Sequence, residues 1–385
     1  MKKGLIALAL GTLGLGMSEF VMMGILPDVA RDLDISIPVA GHFISAYAIG
    51  VCVGAPLLVL VARKRPLKQI LLALVAIFAL GTLLSCMAPN YHTLLATRFL
   101  SGLPHGAYFG VGSIVASKMA AEGKSSAAVA MMIAGMTVAN LAGVPLGTYI
   151  SQTISWRTTF LLISCLDALI LYFVWCWVPY FDPLPDTGFK GQFRFLRSTA
   201  PWLLILATML GNGGLFCWYS YISPLMTSVS GFAPDKMTDI MVLAGLGMCI
   251  GNILSGRLSD IYSPARVATT VQLLMGFSLL LIFLLAQHAV LSVILMTICT
   301  AGLFALSAPQ QILLLRNSKG GEMLGAASVQ VAFNLGNALG AYCGGLPIER
   351  GLDYRYTALP GAAFVFVGML TVLIYLKKYP RHAAR

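Results

Sequence analysis

Apolar residues run along this chain in blocks of about 20, broken by short clusters of charge or by turns of Pro and Asn. Coiled as a helix rising 1.5 Å per residue, such a block crosses the ~30 Å hydrocarbon core of a bilayer. Reading breaks at the charge clusters predicts twelve spans, near residues 4–26, 39–61, 67–88, 93–117, 125–150, 158–178, 201–227, 238–256, 267–286, 290–315, 323–346 and 356–376. The opening "MKKGLIALALGTLGLG" imitates a signal peptide. Its apolar run continues to Leu26, however, and no small-residue cleavage site closes it, so it is read as the first span.

Composition agrees with the pattern. Of the 385 residues, 58% are hydrophobic and 10% charged, where soluble domains carry about 25% charged residues. The expected class is an all-α, polytopic membrane protein. The net charge of +11 lies in short basic clusters between apolar runs, which orients spans and argues against nucleic acid. An even number of spans puts both termini on one side. Nineteen basic residues fall on that side, including Lys2, Arg63, Lys64, Lys190, Arg316, Lys377, Arg381 and Arg385, and five (Arg31, Arg157, Lys236, Arg350, Arg355) on the other. Both termini are therefore expected in the cytoplasm of a cell with an inner (plasma) membrane. The remaining basic residue, Arg98, is inside a span. The eight cysteines all lie in apolar segments without metal-type spacing and read as packing residues.

The longest connection, 179–200, divides the spans six and six, giving bundles at 1–178 and 201–385. Its "FKGQFRFLR" alternates Phe189, Phe193 and Leu196 with Lys190, Arg194 and Arg197, as in a short helix lying on a membrane surface. The halves repeat. "GVCVGAPL" at 50 echoes "GMCIGNIL" at 247, "NLAGVPLG" at 140 echoes "NALGAYCG" at 337, and "LGTLGL" at 10 echoes "LGNGGL" at 210. Two homologous six-span bundles with a site between them are the usual transporter architecture.

Four segments carry a family resemblance. "LLATRFLSGLPHGA" (94–107), "GRLSDIYSPAR" (256–266), the basic "VLVARKRPLK" (59–68) and "AGVPLGT" (142–148) resemble signatures of the major facilitator superfamily. The similarity is nearest to its twelve-span drug:proton antiporters, and within them to sugar efflux permeases of the AraJ type. The third segment lacks the signature Asp, and in the fourth Val144 separates Gly143 from Pro145. The resemblance implies alternating access, a monomer, and a conformational latch in which Asp260 meets Arg257 and Arg266.

Polar groups inside spans supply the candidate chemistry. Glu19 lies about 22 Å from the cytoplasmic end of its span and Arg98 about 8 Å from the opposite face. Both thus sit in the outer third of the core, and the resemblance lines a central cavity with their helices, so a Glu19–Arg98 contact is expected. Such a pair is either a fixed clamp or a site where Glu19 is alternately protonated and ionised. His105, two turns below Arg98, is a relay or a neutral hydrogen-bonded histidine. Asp167 reads as a protonated or helix-bonded carboxyl. Asn140, Asn212, Trp218, Tyr219, Gln310, Gln311 and Asn334 offer amides and rings that suit a neutral hydroxylated ligand, or serve as glue between helices.

The resulting expectation is a secondary transporter that exports a small neutral solute, a sugar or amphipathic drug, in exchange for protons. Its partners are that solute, protons and the lipid bilayer. Neither a metal nor a cofactor is implied. A proton-independent uniporter or symporter with a static Glu19–Arg98 pair is the competing reading. An intramembrane enzyme lacks a catalytic set in the sequence, and a transport-dead sensor would bind ligand without moving it.

Overall fold

The computed structural model describes residues 2–35, 37–186, 188–233 and 236–379, so Arg381 and Arg385 of the charge count lie outside the described residues. The described chain is helical. Its long helices are α1 (Lys2–Asp32), α2 (His42–Ala62), α3 (Leu67–Cys86), α4 (Tyr91–Met119), α5 (Ser125–Thr153), α6 (Trp156–Trp177), α7 (Thr199–Tyr219), α8 (Met237–Tyr262), α9 (Pro264–Leu285), α10 (Ala289–Arg316), α11 (Glu322–Glu349) and α12 (Ala358–Lys378). Ten helices among the described residues are long and apolar enough to cross a membrane. The other two, α4 and α11, are 29 and 28 residues long but less apolar, because they carry Arg98, His105, Gln330, Asn334 and Asn337.

Local chemistry sets several boundaries. The Asn90 side chain accepts the Thr93 N–H at the start of α4, and Ser155 and Ser198 do the same for Arg157 and Ala200 at the starts of α6 and α7. Helix α5 widens into a π turn at Ala139–Gly143. The next residue but one, Pro145, has no N–H to continue the ladder, and Val144 bonds back to Ala139 instead. Helix α7 is shorter than the expected 201–227. It stops at Tyr219 and resumes as a short turn at Ile222–Pro224 and a π turn at Leu225–Val229. Pro224 cannot share a helix with the carbonyl four residues earlier, which accounts for the break. Helix α1 runs on past Leu26 to Asp32. The linker forms two short pieces, Gly188–Gln192 and Arg194–Arg197, rather than one amphipathic helix, and buries Phe195 while leaving Phe189 exposed.

The chain separates into two compact units, Met1–Phe195 with Ser318–Val331, and Leu196–Asn317 with Ala332–Arg385. In the first, α2 packs on α4, α3 on α4 and α6, and α1 on α5 and α6. In the second, α8 packs on α10, α9 on α10 and α12, and α7 on α12. The sequence repeat is thus a repeat of helix partners. Glycine explains the closest of them. A Cβ on Gly54 of α2 would collide with the Leu103 carbonyl of α4, and its counterpart on Gly251 of α8 with the Ala301 carbonyl of α10. Gly336, Gly340 and Gly344 of α11 face the carbonyls of Met209, Gly213 and Cys217 on α7 in the same way. In lipid no hydrophobic force draws helices together, so backbone approach of this kind supplies the packing.

A polar cluster closes the end of the first unit where α1 finishes. Arg157 hydrogen-bonds Asp32 and gives a second bond to the Ala88 carbonyl at 3.0 Å, while the Trp156 indole N–H donates to Asp32 at 3.1 Å. Ser151 donates to Asp28 at 2.7 Å. The ends of α1, α3, α5 and α6 are tied there.

Two predictions follow from this packing. Gly54→Ala and Gly251→Ala should each lower the stability of the purified protein, by about 1–3 kcal/mol, and thermal unfolding in detergent reads both losses. The second prediction concerns acid. The hydrogen bond from Arg157 holds the Asp32 carboxyl below its ordinary range. A depressed carboxylate adds stability above its unfolded value of about 3.9 and loses it as pH falls through the folded value. The gap in melting temperature between the native chain and Asp32→Asn should therefore be full near neutral pH and close below about pH 4.

Candidate functional site

The polar groups of the first unit converge on α1. Arg98, on α4, is completely buried. Its Nη1 donates to the Ser18 carbonyl at 3.0 Å and the Ser18 hydroxyl at 3.1 Å. The guanidinium lies 4.5 Å over the Tyr47 ring of α2 and 5.7 Å from that of Phe160 of α6. The expected contact with Glu19 is absent: Arg98 is outside ion-pairing distance of it and grips the preceding residue. Successive helical residues point about 100° apart, so a side chain that meets Ser18 does not also meet Glu19. A guanidinium tolerates this better than an ammonium would, being planar, weakly hydrated and attracted to ring faces. Its Nε and Nη2 have no hydrogen-bond partner among the described residues.

Glu19 turns toward His105 instead. Its Oε2 is 3.9 Å from His105 Nδ1 and is itself buried without a hydrogen bond, although the side chain keeps 13% exposure. His105 Nδ1 is 2.9 Å from the Tyr47 hydroxyl, and the imidazole stacks on Phe109 with ring centres 5.1 Å apart. An acid, an imidazole and a phenol therefore share one enclosed corner, with a fixed cation behind the phenol ring. Such a corner can hold or pass a proton, because each member is a donor in one state and an acceptor in another. Sequence reasoning missed Ser18, Tyr47 and Phe160. Tyr47 alone carried a signal: a hydroxyl on an otherwise apolar helix needs a partner.

Asp167 of α6 stands apart from this corner. It is fully buried, and neither oxygen meets a hydrogen bond; the adjacent Thr82 hydroxyl donates to the Phe78 carbonyl at 3.0 Å. No bond to its own helix forms among the described residues. Beside it, Gly11, Pro104 and Tyr108 border a cavity of about 10 Å³, room for about one water.

The other predicted residues distribute as follows. Asn140 donates to the Met136 carbonyl at 3.0 Å within the π turn of α5. In the second unit, Asn212 of α7 donates to the Thr208 carbonyl at 2.9 Å and to Gln310 Oε1 of α10 at 3.3 Å, leaving Asn212 Oδ1 and Gln310 Nε2 unbonded. Trp218 is wholly buried, and Tyr219 meets Phe216 edge-on at 5.9 Å, with Phe333 of α11 beyond at 6.0 Å. Gln311 and Asn334 are buried on α10 and α11 of the same unit. The latch differs from expectation. Asp260 faces Arg316 at the end of α10, whereas Arg257 and Arg266 are exposed and make no ion pair among the described residues. Ser263, with φ at 101°, reverses the chain between α8 and α9 in a strained backbone state and carries Arg266 onto the next helix.

Comparison with known proteins gives these features a family. The Major Facilitator Superfamily profile matches residues 8–325 and 219–385. The protein AraJ of Escherichia coli (strain K12) is 52% identical, over 100% of this chain and 97% of its own. More distant relatives are a chloramphenicol resistance protein of Streptomyces lividans, 29% identical over 86% of this chain and 86% of its own, and a Helicobacter pylori (strain J99) protein named for sugar efflux, 28% identical over 88% of this chain and 86% of its own. The fold matches a crystal structure of the transporter FucP in its outward conformation, with a TM-score of 0.77 at 15% identity, covering 96% of this chain and 98% of that one. With helices, repeat and signature segments in agreement, the chain belongs to the major facilitator superfamily and is a multi-pass membrane transporter of that fold.

Proposed function

We propose that this transporter exports a small neutral solute, a sugar or an amphipathic drug, across the inner membrane in exchange for protons, with Glu19 as the coupling acid. The observation that carries the reading is the unbonded Glu19 oxygen, buried 3.9 Å from His105 while the fixed cation Arg98 is bound to Ser18. A structural clamp would bring acid and cation together. Here Arg98 is held at Ser18 instead, so Glu19 stays outside an ion pair with it and can take and release a proton. Inward movement of one charge through 100 mV yields about 2.3 kcal/mol, enough to drive modest export. For the solute, Asn212 and Gln310 keep an acceptor and a donor unbonded, and further along α7 the rings of Phe216 and Tyr219 meet edge-on, with the buried Trp218 beside Tyr219. That pairing favours a molecule with hydroxyls on one face and carbon on the other. The names of the sugar efflux and chloramphenicol resistance relatives point the same way. The basic clusters support cytoplasmic termini, and a monomer is the working unit.

Arabinose, xylose, chloramphenicol and tetraphenylphosphonium, added in turn to weakly buffered protein in detergent, test the coupling. A bound solute should release protons from the native chain and none from Glu19→Gln, with binding by both followed as a thermal shift. Binding without proton release by the native chain would replace exchange with uniport. The solute contacts have their own test. Asn212→Leu and Gln310→Leu should each weaken binding of the solute about tenfold, the worth of one hydrogen bond, while the protons released per bound molecule stay constant.

A further inference from the structure

The second unit has a groove that the transport reading does not use. It lies between α8 and α9, with α10 as its floor, and has a volume of about 590 Å³. Its wall on α8 runs from Gly251 to Tyr262, and that on α9 from Arg266 to Met275. Apart from Ser255, Thr270, Tyr262 and Arg266 the lining is aliphatic, with methionine and glycine. The rim faces outward, since Leu254 is 52%, Tyr262 59% and Leu274 56% exposed. In a membrane-spanning helix these exposed side chains meet lipid, so the groove opens sideways into the bilayer.

The one charged group and the phenol share one end of it, with only the hydroxyls of Ser255 and Thr270 further along. Arg266 and Tyr262 stand together at the end where the chain turns at Ser263, and the groove becomes apolar toward Gly251 and Ile298. From Tyr262 to Gly251 is eleven residues, or about 16 Å of helix, half of a ~30 Å hydrocarbon core. The groove therefore has the length of one leaflet, with a cation at one end and apolar walls along most of the rest. No ion pair or hydrogen bond reaches the Arg266 guanidinium among the described residues.

The repeat supplies an internal control. At the related turn of the first unit, between α2 and α3, two of the basic residues already share a carboxylate. Asp186 of the linker lies 3.1 Å from Arg63 and 3.6 Å from Lys64, and the Leu67 N–H is bonded to the Phe181 carbonyl. The chain supplies that turn with its own anion and its own cover. The second unit leaves its cation exposed at the mouth of an open apolar groove.

We propose that this groove is a binding site for an anionic phospholipid, its phosphate on Arg266 and Tyr262 and one acyl chain between α8 and α9. Basic pockets between membrane helices are selective in this way because phosphate is held by charge and by guanidinium geometry, whereas the acyl chain supplies area but no choice of headgroup. Protein stripped of lipid in detergent, offered equal amounts of phosphatidylglycerol and phosphatidylcholine of the same chain length, tests it by native mass spectrometry. The native chain should retain phosphatidylglycerol at least fivefold over phosphatidylcholine. Arg266→Gln should reduce that ratio toward one. Thr270→Phe, which fills the groove from an exposed position, should lower retention of both lipids, and matching melting temperatures show that both variants are folded. Equal retention of the two lipids by the native chain overturns the proposal. So does an unchanged preference in Arg266→Gln, and so does a Thr270→Phe protein that holds phosphatidylglycerol as the native one does. None of these readouts depends on Glu19 or on transport.

Discussion

Every helix contact in this protein answers to one constraint: lipid is as apolar as leucine, so burying leucine against leucine gains little. What remains is close approach of backbones and the few polar groups that hydrocarbon forces into company. The glycines at Gly54 and Gly251 mark the first kind of contact, where a methyl group would strike a carbonyl of the neighbouring helix. Because these glycines recur in both halves of the sequence, so do the helix pairings. Asp32, Arg157 and Trp156 supply the second kind at a helix end, where water is near and the cost of charge is small.

Arg98 is the severe case of the same constraint. Its charge lies within a span, with a backbone carbonyl, a hydroxyl and two aromatic faces in place of water. Those groups orient the guanidinium without neutralising it. Glu19, one residue along α1 from the carbonyl that Arg98 grips, is close enough to feel the charge yet is bonded to nothing at Oε2. An ion pair would have made the site inert. Separating acid from cation by one helical step leaves both available, and this is the physical basis for assigning a working role to the acid rather than to the pair.

Much of the fold was legible because its signal is coarse. Runs of apolar residues, charge clusters and a repeat at a nearly constant offset survive errors of several residues in any boundary. The breaks were less legible. Pro224 lies in a long apolar run, and its effect on α7 depends on which carbonyl would meet the ring. The site was legible by residue type and not by geometry. Depth arithmetic put Glu19 and Arg98 at one level, but a level is a plane, and the 100° between Ser18 and Glu19 decides which of them Arg98 meets. Tyr47 was missed for the same reason: nothing in the order of residues places its hydroxyl on His105. The latch differed because Asp260 faces Arg316, a residue 56 positions further along the chain on another helix, which local spacing cannot indicate.

The two units share one packing plan, so their differences are informative. The first unit carries the buried acid, the histidine and the fixed cation, where the repeat-related stretch of α7 offers Asn212 and aromatic rings. At the turn after its second helix the first unit provides its own carboxylate, Asp186, to two basic residues, and the second provides none to Arg266. Packing positions had to be kept in both halves, since losing a glycine would separate two helices. Positions that touch no neighbouring backbone were free to diverge. The acid Glu19, the amide of Gln310 and the cation Arg266 that distinguish the two halves all fall outside the glycine contacts. Departures from the repeat therefore point to function more directly than the repeat itself.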